Sequence, residues 1–137
     1  MSVVIPHKTI EAISQSRDPK KTILDALGNL SGIRVIRSDW CLVAIYVRPE
    51  KTAGGIIRPT VNVQEDIWQG KAGLLLKLGP NAFRDEQGEL YEVRADVGDW
   101  VQFDVNEARP VQFGGVACRW VKDINIFAVL DDPNIVY

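Results

Sequence analysis

CLVAIYVRPEKTAGGIIRPTVNVQEDIWQGKAGLLLKL, residues Cys41 to Leu78, is the stretch on which the reading of the fold turns. Two apolar runs, Cys41–Val47 and Leu74–Leu78, bracket a polar passage. Short runs rich in β-branched residues and leucine, cut off by Arg48-Pro49 and Gly79-Pro80, read as strands. The passage between them, Glu50 to Gly73, far exceeds the roughly 4–6 residues of an ordinary connection, and loops beyond roughly 12–15 residues are typically functional or disordered. It opens on Gly54-Gly55, which permits positive φ and removes side chains that could pack. Ile56 and Ile57 come next, then Arg58-Pro59. A glycine hinge, an apolar tip and a polar return describe a docking arm. A catalytic loop would need convergent acids, bases or nucleophiles, and this one offers only Glu65 and Asp66. The expectation is that Gly54, Gly55, Ile56, Ile57 and Arg58 form a partner-binding loop and that the rest of the chain presents it. The alternative is that Ile56 and Ile57 pack back onto their own domain, as many loop-borne aliphatics do.

Outward from that stretch the chain reads as all-β. Strands are expected at Ile33–Ile36, Trp40–Val47, Gly73–Leu78, Val97–Phe103, Val116–Val121 and Ile124–Leu130, separated by turn signals at Asp85-Glu86-Gln87-Gly88, Gly98-Asp99 and Gly114-Gly115. Alternation puts Val97, Val101 and Phe103 on one face and Trp100 and Gln102 on the other; Leu74, Leu76 and Leu78 alternate with Leu75 and Lys77. Evenly spaced short strands without a βαβ rhythm argue for a small barrel or sandwich. Residues 1–31 differ. Asp18-Pro19 is a helix start, Ile23, Leu24 and Leu27 fall on one helical face, and Gly28-Asn29 is a stop. The division expected is a helical N-terminal arm, 1–31, and a β domain, 32–137. So short a helix must dock on something, either its own domain or a neighbouring subunit.

The composition, 46% hydrophobic and 25% charged over 137 residues, is that of an ordinary globular domain. A net charge of −2 gives no general attraction to nucleic acid or to anionic lipid. No apolar run approaches the roughly 18 residues of a spanning helix, and the N-terminus lacks the pattern of a signal peptide. An intracellular setting is expected, with Cys41 and Cys118 reduced and buried in strands. His7 is the only histidine, so no histidine pair serves a metal and no placed base serves a nucleophile. There is no CxxC and no phosphate-binding glycine loop. The carboxylates of Asp85, Glu86 and Glu89 surround a turn and those of Asp131-Asp132 precede a proline, so both groups read as solvated. The four tryptophans have no basic patch beside them. No catalytic residue, cofactor or metal is expected, and the chain reads as no enzyme.

Taken in order, these residues resemble the GroES co-chaperonin family. A strand ending in Arg48-Pro49-Glu50, continued by Lys51 to Ile57, resembles the start of that family's mobile loop. Gly70 to Leu74 resembles the return into the barrel, and Leu78-Gly79-Pro80 the turn before a roof hairpin, here within 82–95 with its strands at Phe83 to Tyr91. Val97 to Phe103 is similar to the family's Val-Gly-Asp strand, and Asn125 to Leu130 to its closing strand. The resemblance implies a small β-barrel with a long mobile loop at 50–73 and a roof-type β-hairpin, to which the residues themselves add a short helical N-terminal extension. It also implies a heptameric ring, a chaperonin ring as partner, and a cytoplasmic setting in a bacterial host. Ile126, Phe127, Ala128, Val129 and Leu130 would then form a subunit interface, since an apolar strand left at a sheet edge is one proteins avoid exposing.

The sequence departs from the family at identifiable places. Arg58 stands third in the apolar tripeptide that touches the chaperonin, and Pro59 stiffens the chain after it. About thirty residues precede the first strand, and Pro133 to Tyr137 are additional. Such changes suit a bacteriophage-encoded co-chaperonin. They equally suit a barrel recruited as a virion component, a capsid decoration protein whose partner is the major capsid protein.

Overall fold

The computed structural model describes residues 18–28, 30–47 and 71–136. Helix α1 (Pro19–Leu27) precedes strands β1 (Trp40–Ile45), β2 (Ala72–Leu78), β3 (Trp100–Phe103), β4 (Arg109–Phe113), β5 (Val116–Lys122) and β6 (Ile126–Leu130). The helix begins and ends where its caps stand. The Asp18 carboxylate accepts the Lys21 N–H at 3.3 Å, Pro19 opens the first turn, and the Gly28 N–H returns to the Leu24 carbonyl at 3.2 Å. Ile23 and Leu27, one turn apart, are buried. Leu24, expected on their face, is 51% exposed, because consecutive residues are turned about 100° from each other at 3.6 residues per turn.

The strands form one antiparallel sheet in the order β4-β5-β1-β2-β3-β6. At its centre, Cys41 through Val47 are buried without interruption. That continuity explains the unbroken apolar run: a strand covered on both faces has no side on which a polar residue is favoured. On one face Leu42, Ala44 and Tyr46 join Leu74, Leu76 and Trp100 under Ile23 and Leu27 of the helix. On the other, Cys41, Val43 and Ile45 join Leu75, Val101, Phe103 and Val121 in the barrel interior. The fold is the small all-β barrel that the family resemblance implied, one of the two architectures the strand pattern allowed.

Several local expectations change. β4 is absent from the strands expected on sequence, because Arg109-Pro110 discourages a strand assignment. The sheet places β4 at an edge, where proline's missing N–H costs little. Ile33–Ile36 joins no ladder among the described residues. Val97–Asp99 is a turn rather than the start of β3. Gly98 takes φ 97°, and the Asp99 carboxylate accepts the Asp96 N–H at 2.9 Å. Leu78 packs on the interior cluster instead of beside Leu74 and Leu76. A register shift between Leu42 and Val43 sets Leu42 against Lys77 and Val43 against Leu75, and an extra residue reverses the alternation beyond it.

Gly73 sits where β1 and β2 come closest. A Cβ there would run into Val43 Cγ1 and the Ala44 carbonyl oxygen. Cys41 and Cys118 are both free thiols and belong to opposite faces, one in each cluster. Burial pushes both thiols up to about 12, and at Cys41 the charges of Asp123 and Asp39 add to it.

Two outcomes are expected from this packing. Gly73→Ala should destabilise the protein by about 1–3 kcal/mol, read as a lower denaturant midpoint at unchanged m-value, since an inserted methyl has backbone on one side and a β-branched side chain on the other. Neither cysteine should react with a thiol reagent at pH 8 until the protein is unfolded, when both titrate at once; prompt labelling of the native protein would contradict the assigned burial.

Candidate functional site

Gly54, Gly55, Ile56, Ile57 and Arg58 lie outside the described residues. The two points from which their segment departs are described, and they are held side by side. The Tyr46 N–H donates to the Ala72 carbonyl at 2.9 Å, continuing the β1–β2 ladder one rung beyond Ile45. The Phe103 N–H donates to the Lys71 carbonyl at 2.9 Å, tying the second foot to β3. The Tyr46 ring meets Trp100 edge-on at 5.2 Å, and Lys20 Nζ of the helix stands 5.8 Å from the centre of the Trp100 ring. Gly73 lets β2 approach β1 at this same place. The root of segment 48–70 is therefore hydrogen-bonded on both sides, with Tyr46, Val47 and Ala72 buried.

The residues expected at a subunit interface form β6 and its edge. β6 pairs with β3 through Leu130–Trp100, Val129–Val101 and Ala128–Gln102, and among the described residues its outer edge has no partner strand. The register then shifts so that Ile126 faces Phe103, leaving Phe127 as the bulged residue. Phe127 is 61% and Val129 51% exposed, while Ile126, Ala128 and Leu130 are half-buried. A shallow groove of about 170 Å³ runs between this strand and Val93–Ala95. Residues 33–37 belong to no strand, Val35 is 81% exposed, and grooves of about 640 and 340 Å³ are lined in part by them. An apolar strand edge and a segment outside the sheet are thus both open.

The hairpin expected at Phe83 to Tyr91 is present. Its turn is closed by the Asp85 carboxylate, which accepts the N–H groups of Gln87 at 2.9 Å and Glu89 at 3.0 Å. The Tyr91 N–H donates to the Phe83 carbonyl at 2.8 Å, and Arg84 bridges to Leu90. Its base is pinned by a residue that sequence reasoning missed. Asp123, buried in the 3-10 turn before β6, accepts the Phe83 N–H on Oδ2 at 2.8 Å. Phe83 itself takes φ 57°, so the bond stabilises a backbone conformation that a phenylalanine rarely adopts. Nothing local marks Asp123, because its partner lies 40 residues away.

These groups have no catalytic geometry. The Asp85 carboxylate is occupied as a turn acceptor, and Asp132 holds Asn134 by accepting its backbone N–H at 2.9 Å. Among the described residues, no cluster of His, Cys, Asp and Glu could hold a metal ion, and no helix is long and apolar enough to cross a membrane. What the arrangement can do is present surfaces: a segment on a fixed root, a hairpin on a buried carboxylate and an open strand edge.

Comparison with known proteins accords with that geometry. The family model for the chaperonin 10 Kd subunit matches residues 37–130, which span both feet of segment 48–70, the hairpin and β6. A co-chaperonin GroES 2 of Rhodopseudomonas palustris is 36% identical over 83 residues, 61% of this chain and 75% of the relative. A co-chaperonin GroES 2 of Bradyrhizobium diazoefficiens is 36% identical over 85 residues, 62% of this chain and 77% of the relative. A co-chaperonin GroES of Rickettsia conorii is 30% identical over 82 residues, 60% and 81% respectively.

Asp123→Ala should cost about 1–3 kcal/mol, because the Phe83 N–H is left buried without an acceptor. Amide exchange at Phe83 and Tyr91 should quicken while exchange in β1 changes only with global stability. Equal protection of the hairpin in both proteins would remove Asp123 from this role.

Proposed function

The chain belongs to the family of the chaperonin 10 Kd subunit, and from that premise we propose that it is a co-chaperonin that binds a chaperonin ring through segment 48–70 and assists protein folding with no chemistry of its own. The supporting observation is the continuity of the family match across both feet of that segment, which the Tyr46–Ala72 hydrogen bond holds together. Ile56 and Ile57 are the anchors that enter an apolar groove on the ring, and Gly54-Gly55 is the hinge that presents them. Each buried branched aliphatic contributes about 1.5–3 kcal/mol. Arg58 stays on the rim of that groove, since a guanidinium entering it would need a paired acid. It tunes which partner is accepted.

The same reading makes the protein a homo-oligomer, a heptameric ring in the bacterial cytoplasm. Its support here is the open edge of β6, where Phe127 and Val129 stand exposed beside strand backbone with no ladder on its outer side among the described residues. Residues 33–37, which join no ladder among the described residues, are the candidate to pair with the neighbour's β6. Residues 1–31 then form the N-terminal extension, with α1 docked on the chain's own sheet, and residues 32–137 the barrel domain. Ring geometry multiplies the effect of each loop's affinity, because several loops engage at once.

Imaging of the purified protein should give closed rings. Monomers or trimers instead would favour the virion decoration reading over the co-chaperonin one. Val129→Lys should dissociate the ring while leaving the protomer folded, since that side chain already faces solvent. Ile56→Ser with Ile57→Ser should keep the ring and its Tm and abolish capture by a purified bacterial chaperonin ring. Unfolding of that double variant, with binding falling only in proportion, would mean that the two isoleucines are core residues rather than anchors.

A further inference from the structure

The family match stops at residue 130 and starts at residue 37, yet chain from beyond both limits packs on the same face of the sheet, the helix against β5 and the C-terminal turn against β2 and β3. Ile23 and Leu27 of α1 and Val136 of the C-terminal 3-10 turn (Pro133–Val136) pack on the sheet face that holds Tyr46, Val47, Ala72 and Trp100. These are the residues at and beside the feet of segment 48–70. Pro133 is buried, and the turn lies against β2 and β3. A hydrogen bond of long sequence separation ties it to the barrel: the Tyr46 hydroxyl donates to Asn134 Oδ1 at 2.7 Å.

The acceptor is oriented before the tyrosine meets it. Asp132 Oδ1 accepts both the Asn134 backbone N–H at 2.9 Å and its Nδ2 at 3.0 Å, which turns the amide oxygen toward the sheet. Tyr46 is 2% exposed, so its hydroxyl cannot exchange that acceptor freely for bulk water. The same residue closes the ladder to Ala72 with its N–H and meets Trp100 with its ring. Foot, sheet and C-terminal turn therefore converge on one side chain.

We propose that the C-terminal turn is a latch on the root of segment 48–70, and that Tyr46 is the positioning residue through which it sets how tightly the segment's anchors engage a chaperonin ring. The inference rests on the reading of that segment as the partner-binding loop. A fixed root narrows the set of directions from which the loop starts. Less of the contact energy is then lost to ordering on docking. Freed, the turn would leave the first foot to fray past Ile45, and the loop would dock from a broader ensemble.

The test uses full-length protein carrying Tyr46→Phe, Asn134→Ala or both, with Ile23→Val as a control on the same face away from the feet. Tyr46→Phe keeps the ring on Trp100 and removes the hydroxyl that donates to Asn134. Each latch variant should speed amide exchange at Tyr46 and in 72–74 by about two- to tenfold, the factor a single net hydrogen bond supports. Affinity for a purified bacterial chaperonin ring should weaken by a similar factor. The double variant should fall short of the sum of the two singles, since both remove the Tyr46–Asn134 bond. The control should lower Tm and leave both readouts unchanged. Unaltered exchange at the feet in both latch variants, or the same change in Ile23→Val, would overturn the proposal. If the unmodified protein fails to bind the ring, the loop reading falls and the affinity effect with it; the exchange measurement then decides separately whether the turn holds the root.

Discussion

The structure depends on the double-sided burial of β1. Every side chain from Cys41 to Val47 is removed from water, so each face of the sheet's central strand requires a cover. The barrel interior supplies one through Leu75, Val101, Phe103 and Val121. The other comes from segments outside the sheet: Ile23 and Leu27 of α1 join the cluster of Leu42, Ala44 and Tyr46, and the C-terminal turn meets Tyr46 through Asn134. Those end segments are too short to fold alone, and the sheet would expose an apolar face without them. Helix, turn and sheet therefore depend on one another for burial.

That arrangement has a functional consequence at the loop. A long segment adds little closure cost once its ends are held together, because that cost grows only with the logarithm of length. What matters is the stiffness of the root. Here the ladder runs one rung past Ile45, Gly73 permits close backbone approach, and Phe103 fixes Lys71. The sheet edges contrast with this centre. β4 carries Pro110 at its edge, a residue that blunts strand pairing, whereas β6 carries a bulge and exposed Phe127 and Val129. One edge discourages addition of a strand, and the other leaves apolar surface for it.

The polar interior obeys the same logic. Asp123 is buried with Oδ2 accepting the Phe83 N–H and Oδ1 without a hydrogen-bond partner, and Phe83 holds its left-handed conformation with that support. Its carboxylate also adds to the upward shift of the Cys41 thiol, whose main cause is burial. The pairing joins the base of the hairpin to the turn that leads into β6. Motion at one would be felt at the other.

Read alone, the chain recorded what short-range chemistry can. Asp18-Pro19 and Gly28 bounded the helix, alternation separated Trp100 from Val101 and Phe103, and the run Cys41–Val47 marked a strand. The order of the loop, hairpin and closing strand, read as a family resemblance, agrees with the match over residues 37–130. Packing in three dimensions settled what depends on distant partners. A proline became compatible with strand β4 only because that strand lies at an edge, and a one-residue shift opposite Leu42 moved Leu78 to the other face. Asp123 found Phe83 across 40 residues and Tyr46 found Asn134 across 88. The difference lies in the range of the forces. Caps, turns and periodicity act within a few residues and leave their signature in order along the chain, whereas a buried hydrogen bond has meaning only after the sheet has brought its two ends together.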